Sequence, residues 1–309
     1  MLSTVARMKI VNKIKRLFRS FANDIKIMSG RYIAVAISGS KGYDGKLIHQ
    51  NWGDDINYYF VKELSEKDIV LLNDTIFSKR WAKNYLIIGS TIGMEGNTST
   101  IVWGAGLISE NACQDLQIKK FYAVRGPKTR DTLTEHGFEC PDVYGDPALL
   151  LPLYYRPDMK KKYRIGIIPH YVDTCIFEHS KNDNRGVLVI SPRGYNDWHE
   201  FIDQIVSCES IVSSSLHGLI IAEAYGIKSK WMEIVGSEMR DRFKYDDFYF
   251  SIGKNDENPI YVDENFRVEE LVAATQKWYP GNIDLSKLVN NCPFAIKPAV
   301  FENNILKEK

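Results

Sequence analysis

Ile211-Val212-Ser213-Ser214-Ser215-Leu216-His217-Gly218-Leu219-Ile220-Ile221-Ala222-Glu223-Ala224-Tyr225-Gly226 carries the pattern that decides the fold. A short apolar run, Ile211–Ser213, reads as a strand; hydroxyl residues interrupt it, and an apolar helical pattern, His217–Tyr225, follows and ends at Gly226. A strand that passes through a brief polar turn into a helix is the repeating unit of a parallel α/β sheet. At such a turn the free N–H groups of the helix start, three hydroxyls and one imidazole converge where an anion would dock. His217 is therefore a candidate functional group, set against the common alternative of a histidine that serves packing.

The same alternation runs outward in both directions. In the C-terminal half, strands are expected at Tyr163–Ile168, Val187–Ile190 and Lys230–Ile234, with helices near Trp198–Ser207 and Val268–Tyr279. In the N-terminal half the expected strands are Tyr32–Ile37, Ile69–Leu72, Tyr85–Ile88, Thr100–Trp103 and Phe121–Val124. Helices are expected there at Asp54–Leu64, Phe77–Lys83 and Pro127–Gly137, the last ended by a glycine. Two prolines in Asp142–Pro152 and the cationic run Lys160-Lys161-Lys162 suggest a linker between the halves.

The expected fold class is thus α/β, with two Rossmann-like domains facing across a cleft. The division reads as a basic segment over 1–28, a first Rossmann-like domain over 29–150, a second over 151–260, and a helix and tail over 261–309. A path of that tail back to the first domain is left open. Asp173–Arg185 is polar and without periodicity, and is expected to be a mobile loop over the cleft. Ligands of such sheets bind beyond the carboxyl ends of the strands, so functional motifs should follow strands directly.

Composition narrows the function classes. Of 309 residues, 44% are hydrophobic and 26% charged, which is ordinary globular usage. Lys and Arg number 40 against 39 Asp and Glu, so the chain as a whole is not an electrostatic binder of nucleic acid. Cys113, Cys140, Cys175, Cys208 and Cys292 form no C-x-x-C pair, which argues against a disulfide framework or structural zinc and fits a reducing cytosol. No apolar run is long enough to span a bilayer, and Met1-Leu2-Ser3-Thr4 does not open a signal peptide.

Val5–Ile27 is nevertheless distinctive. Arg7, Lys9, Lys13, Lys15, Arg16, Arg19 and Lys26 face one acid, Asp24, while Ile10, Ile14, Leu17, Phe18 and Phe21 recur at helical spacing. This basic amphipathic helix either packs its apolar face on the protein or lies on an anionic leaflet.

Familiar phosphate loops fail. Gly39-Ser40-Lys41-Gly42-Tyr43-Asp44-Gly45-Lys46 has the wrong glycine spacing for a P-loop, and Leu47 stands where a magnesium-binding hydroxyl belongs. Gly104-Ala105-Gly106 lacks the third glycine of a dinucleotide fingerprint, the position being Ser109. No metal-spaced His/Cys cluster and no G-x-S-x-G elbow occurs.

Further segments place polar chemistry after strands. Asn51-Trp52-Gly53-Asp54-Asp55-Ile56-Asn57 precedes a helix; its Asn and Asp residues suit an N-cap and equally suit a loop that holds sugar hydroxyls, with Asp54 able to accept a hydroxyl proton. Val124-Arg125-Gly126-Pro127 runs from a strand into a helix, where an arginine fork can clamp carboxylate or phosphate. Ile168-Pro169-His170-Tyr171 and Ser191-Pro192-Arg193-Gly194 also follow strands, and Met239-Arg240-Asp241-Arg242-Phe243-Lys244 adds three cations, read either as site residues or as a solvated loop.

Taken in order, Asn51–Asp54, Trp103-Gly104-Ala105-Gly106, Val124–Pro127, Tyr144-Gly145-Asp146-Pro147, Ile168–His170 and Ser213–Gly218 resemble the polysaccharide pyruvyl transferase family, from about Asn51 to Phe250. The resemblance implies a fold like that of GT-B glycosyltransferases and transfer of a pyruvyl group from phosphoenolpyruvate onto hexose hydroxyls as a ketal. The acceptor it implies is a surface polysaccharide or a lipid-linked precursor at the inner face of the cytoplasmic membrane. It carries the family's Leu-His pair onto Leu216-His217 and its mid-chain arginine onto Arg125. Other branches have an arginine where this chain has Ser215, so anion binding falls to Arg125, Arg193 or the Arg240–Lys244 segment.

The assignments that follow are His217 as general acid and Asp54 as base. Arg125, His170, Arg193, Ser213, Ser214, Ser215, Leu216, Arg240 and Lys244 would hold the donor, and Asn51, Gly53 and Asp55 the acceptor. The scheme calls for no metal and no cofactor beyond phosphoenolpyruvate as co-substrate. Alternatives are a nucleotide-sugar glycosyltransferase on the same architecture and a non-catalytic sugar- or anion-binding module.

Overall fold

The computed structural model describes residues 4–301 except Ser40, Tyr43, His49, Gln50, Cys175, 178–185 and 238–240. Most of the Asp173–Arg185 stretch, and Arg240, therefore lie outside the described residues.

The apolar runs form two five-stranded sheets, each parallel throughout. The first contains β1 (Tyr32–Val35), β2 (Asp68–Leu71), β3 (Asn84–Leu86), β4 (Thr100–Trp103) and β5 (Lys120–Ala123), in the order β2-β1-β3-β4-β5. The second contains β6 (Ile165–Ile168), β7 (Val187–Val189), β8 (Ser210–Ser213), β9 (Lys228–Ile234) and β10 (Ile260–Val262), in the order β10-β9-β8-β6-β7. Counted from its own first strand, each sheet has the doubly wound order 2-1-3-4-5. The order reverses between β1 and β3 in one sheet and between β6 and β8 in the other, and ligands of such sheets lie at those reversals.

Continuous burial explains why these strands read as apolar runs: Val35, Leu86, Val102, Trp103, Ile165, Ile167, Ile211 and Val212 are all closed to solvent. The helices are α1 (Thr4–Met28), α2 (Trp52–Leu64), α3 (Pro127–Glu135), α4 (Trp198–Val206), α5 (Leu216–Ala224), α6 (Phe243–Ser251), α7 (Val268–Thr275) and α8 (Leu285–Asn290). Helix α2 is capped by Asn51 and α4 by Asp197, while α3 starts on Pro127, where a missing N–H costs nothing.

One expectation is corrected, and three other segments take a defined place. The helix expected at Phe77–Lys83 is only a 3₁₀ turn at Ser78–Arg80, because the Asp24 carboxylate of α1 takes the N–H groups of Ile76, Phe77 and Ser78 and fixes a loop there. The supposed linker is interior: Pro147–Leu153 forms a 3₁₀ segment that is buried throughout. The cationic stretch after β9 leads into α6, whose Phe243, Tyr245, Asp247, Phe248 and Tyr249 are buried and which packs against α3. Finally, α1 forms but does not pack its apolar face inward: Ser20, Asn23 and Asp24 are buried, whereas Ile14, Leu17, Phe18 and Phe21 are exposed.

Residues beyond α7 return to the first sheet. The Trp103 indole donates to Leu288 O at 2.9 Å, Phe294 packs edge-on against Trp103 and Tyr85, and Lys297 N donates to Leu64 O at 2.8 Å. Among the described residues no helix is long and apolar enough to cross a membrane.

Candidate active site

The start of α2 and the start of α5 meet. A side chain on Gly53 would overlap the His217 imidazole, so only the absence of a Cβ lets the ring lie on the first turn of α2. Gly89, after β3, stands over the same ring with φ +101°, a conformation that favours glycine. His217 thus sits where the β1/β3 end of one sheet touches the β6/β8 end of the other. Two helix N-termini converge on it, an arrangement that favours an anion and disfavours an imidazolium.

The contact is reinforced around its edge. Trp52 N donates to Pro192 O and its indole to Trp198 O, both at 2.8 Å, while the ring stacks on Phe201. Tyr195 OH donates to Asp55 Oδ2 at 2.5 Å. Asp55, expected as an acceptor contact, is buried and serves this junction between the α2 start and the loop after β7.

Electrostatics set apart four groups. His217 Nε2 is buried without a hydrogen-bond partner, and burial, together with the Arg125 and Lys244 cations, pushes the ring down to about 3. His170 Nδ1 is likewise unpartnered; burial and the charges of Lys244 and Arg193 push it down to about 4. Lys244, in the first turn of α6, is pushed down to about 8 by burial and by Arg125, with Asp241 opposing. Asp54 is pushed up to about 6 by burial; the hydrogen bond from Asn51 opposes this, and the charges of Asp55 and Glu95 add to it. Two neutral imidazoles beside the cations Arg125, Lys244 and Arg193 form an anion-seeking cluster, while Asp54 is a carboxyl poised near neutrality.

Other expected residues have structural tasks. Ser213 Oγ accepts from Ser215 N and lies within donating distance of Ile168 O and Ser215 O. Ser214 Oγ accepts from His170 N at 2.8 Å, which fixes the loop that carries that imidazole. Ser215 is the N-cap residue of α5 but makes no side-chain capping bond, and Leu216 is buried in the core. Arg193 stacks its guanidinium 3.6 Å from the Tyr171 ring centroid.

Arg125 requires a correction. It is neither a surface residue nor an open clamp: its side chain is fully buried, with Nε 2.9 Å from Asp247 Oδ2, Nη1 donating to Ser90 Oγ at 2.5 Å and Nη2 to Leu107 O at 2.7 Å. A side chain on Gly106 would overlap its guanidinium. Asp247, Ser90 and Tyr195 were not singled out from sequence; each acts through a partner far along the chain, which no local pattern reveals. Tyr245 was also missed, and its hydroxyl donates to Ser214 O at 2.6 Å.

A cavity of about 530 Å³ lies at the opposite end of α5, beside Glu223 and Ile252. Its Glu223 is taken up by Lys254, Trp278 and the Gly281 N–H, so the unpartnered imidazoles mark the chemical site better than volume does. Among the described residues no three His, Cys, Asp or Glu side chains are grouped to hold a metal ion.

The chain is similar to several known proteins. A family model described as polysaccharide pyruvyl transferase matches residues 3–231. An uncharacterized protein of Acanthamoeba polyphaga mimivirus is 30% identical over 213 residues, 66% of this chain and 71% of that one. The succinoglycan biosynthesis protein ExoV of Rhizobium meliloti is 23% identical over 252 residues, 77% of this chain and 72% of that one. An uncharacterized protein of Klebsiella pneumoniae, known by crystal structure, aligns over 85% of this chain and 99% of its own at 14% identity and a TM-score of 0.43.

Proposed function

The chain belongs to the polysaccharide pyruvyl transferase family, and on that premise we propose that it transfers a pyruvyl group from phosphoenolpyruvate to two hydroxyls of a hexose, forming a ketal. The observation that carries this reading is the cluster of unpartnered His217 and His170 with Lys244, set against Asp54 at the meeting of two helix starts. The arrangement of the two sheets is read as GT-B-like, with the donor on the β6/β8 side and the acceptor beside Asn51 and Asp54.

The donor carries a carboxylate and a phosphate, which suits Lys244, the helix starts and the field of buried Arg125. The reaction begins with proton transfer to the methylene carbon, which makes that carbon a methyl group and the enol carbon electrophilic. One sugar hydroxyl adds there as Asp54 takes its proton. Cleavage of the bond to the phosphate oxygen then releases phosphate, and the second hydroxyl closes the ketal. The two hydroxyl protons balance the proton placed on carbon and the one leaving with phosphate.

His217 supplies the first proton. The free ring is held neutral first by burial and then by Arg125 and Lys244, and the negative donor offsets those two cations, which raises the proton affinity of the imidazole. The acceptor is read as a surface polysaccharide unit or its lipid-linked precursor, met in the cytoplasm at the inner membrane face.

Incubation of purified protein with phosphoenolpyruvate and a panel of saccharides tests the proposal. Phosphate release together with an acceptor mass gain of one pyruvate ketal is expected. Nucleotide release from a nucleotide sugar, with no reaction of phosphoenolpyruvate, would assign a glycosyltransferase instead, and binding without turnover a lectin-like module.

A further inference from the structure

Helix α1 is attached to the protein by its polar side. Asp24 accepts three backbone N–H groups from the turn at Ile76–Ser78, Asn23 donates to Asp74 O at 3.1 Å, and Arg19 Nη1 donates to Gly42 O at 2.5 Å. On the opposite side Ile14, Leu17, Phe18, Phe21, Ile25 and Met28 recur at steps of three and four, and all are exposed, Phe18 to 72%. A helix that spent its apolar face on folding would show the reverse burial. This one leaves its apolar stripe open along its length.

Charge identifies what covers it. Seven basic residues and one acid lie between Val5 and Ile27, and that acid, Asp24, is buried and already paired with backbone. At helical periodicity Lys13 borders one edge of the stripe, and Lys15 and Lys26 border the other. A second copy would bring two such cationic rims together, whereas an anionic leaflet supplies both hydrocarbon and opposite charge. Exposed Phe77 and Trp81, in the turn that Asp24 holds, add aromatic surface of the kind found at lipid interfaces.

We propose that α1 is an interfacial helix that docks the protein on an anionic lipid surface, with its polar face serving as a rigid mount for the body. This inference is independent of the reaction assigned above. It rests on burial and charge alone, and its test contains neither donor nor acceptor.

The test is co-sedimentation of the full chain with vesicles of phosphatidylcholine alone or mixed with phosphatidylglycerol. Wild type is expected to bind the mixed vesicles at least tenfold more tightly, less so as salt rises. Leu17→Asp with Phe21→Asp should cut that binding at least about tenfold without lowering the melting temperature, since neither side chain is buried. Lys13→Gln, Lys15→Gln and Lys26→Gln together should cost on the order of 10²-fold at low salt. Equal binding by wild type and both variants would overturn the proposal. So would a wild-type dimer in analytical ultracentrifugation that Leu17→Asp dissociates while no vesicle binds, which would assign the stripe to a second copy.

Discussion

Arg125 and Asp247 form an ion pair 2.9 Å long with both side chains fully closed to solvent. Arg125 follows β5 and Asp247 lies in α6, so the pair joins the first sheet's surroundings to the helix that carries Lys244. Asp247 also accepts from Thr129 N and Thr129 Oγ1, at 2.8 and 2.7 Å, which leaves its carboxylate well satisfied. Removing one partner would strand a buried charge. Asp247→Ala is therefore expected to lose about 3–5 kcal/mol of folding stability, read from urea unfolding. A loss below about 1 kcal/mol would mean that the pair does not hold α6 in place.

Arg125→Lys keeps the charge and loses the fork. One ammonium cannot serve Asp247, Ser90 and Leu107 O in the planar directions the guanidinium uses. The variant should be less stable by roughly 1–3 kcal/mol, the usual cost of buried polar groups left unpaired. It should also weaken phosphoenolpyruvate binding, because α6 and Lys244 move with the pair. Calorimetry that finds donor affinity unchanged in a destabilised variant would restrict Arg125 to a purely structural role.

Gly53→Ala separates stability from chemistry. Alanine favours a helix over glycine by about 1 kcal/mol, and Gly53 lies within α2 at an ordinary helical position. Its Cβ, however, would occupy the His217 ring. A stability loss of no more than about 1–3 kcal/mol from overpacking, partly offset by helix propensity, with kcat reduced about 10²-fold is the expected result, since small misplacements of a catalytic group are costly. Full activity would show that the contact between the two helix starts is dispensable.

What sequence could show follows from range. The inner strands are legible because they are buried along their length and read as short apolar runs, as in Ile165–Ile168. His217 and His170 were legible because parallel topology puts residues after strands at one end. Helix α6 was not, since Phe243, Tyr245, Phe248 and Tyr249 are buried all round and leave no amphipathic period to read. The orientation of α1 was also hidden: in its docking Arg19 and Asn23 donate to, and Asp24 accepts from, backbone groups far along the chain. Arg125 was visible as a strand-end arginine, but its partner stands 122 residues away.

The pH profile should be bell-shaped, with limbs set by two groups. Asp54 must be ionised to accept a proton, and its carboxyl is pushed up to about 6, so kcat/KM should rise as pH passes through that value. Lys244 must be protonated to attract the donor, and it is pushed down to about 8, so kcat/KM should fall above that value. Lys244→Arg should remove the alkaline fall, since a guanidinium keeps its proton there. Asp54→Asn should lose about 10²–10⁴-fold in kcat. An alkaline limb unchanged in Lys244→Arg would assign it to another group.

Donor binding should carry a proton into the site. In the free protein His217 is pushed down to about 3, first by burial and then by Arg125 and Lys244, so its ring is neutral at pH 7. Phosphoenolpyruvate brings negative charge to those same cations, which opposes their effect and raises the proton affinity of the imidazole. Calorimetric titration at pH 7 in buffers of different ionisation enthalpy reads this uptake directly. Wild type should take up a larger fraction of a proton than His217→Gln, which cannot titrate and should lose about 10²–10⁴-fold in kcat. Identical uptake by the two proteins would move the proton donor away from His217, leaving His170, pushed down to about 4 by burial and the charges of Lys244 and Arg193, to be tested by the same titration of His170→Gln.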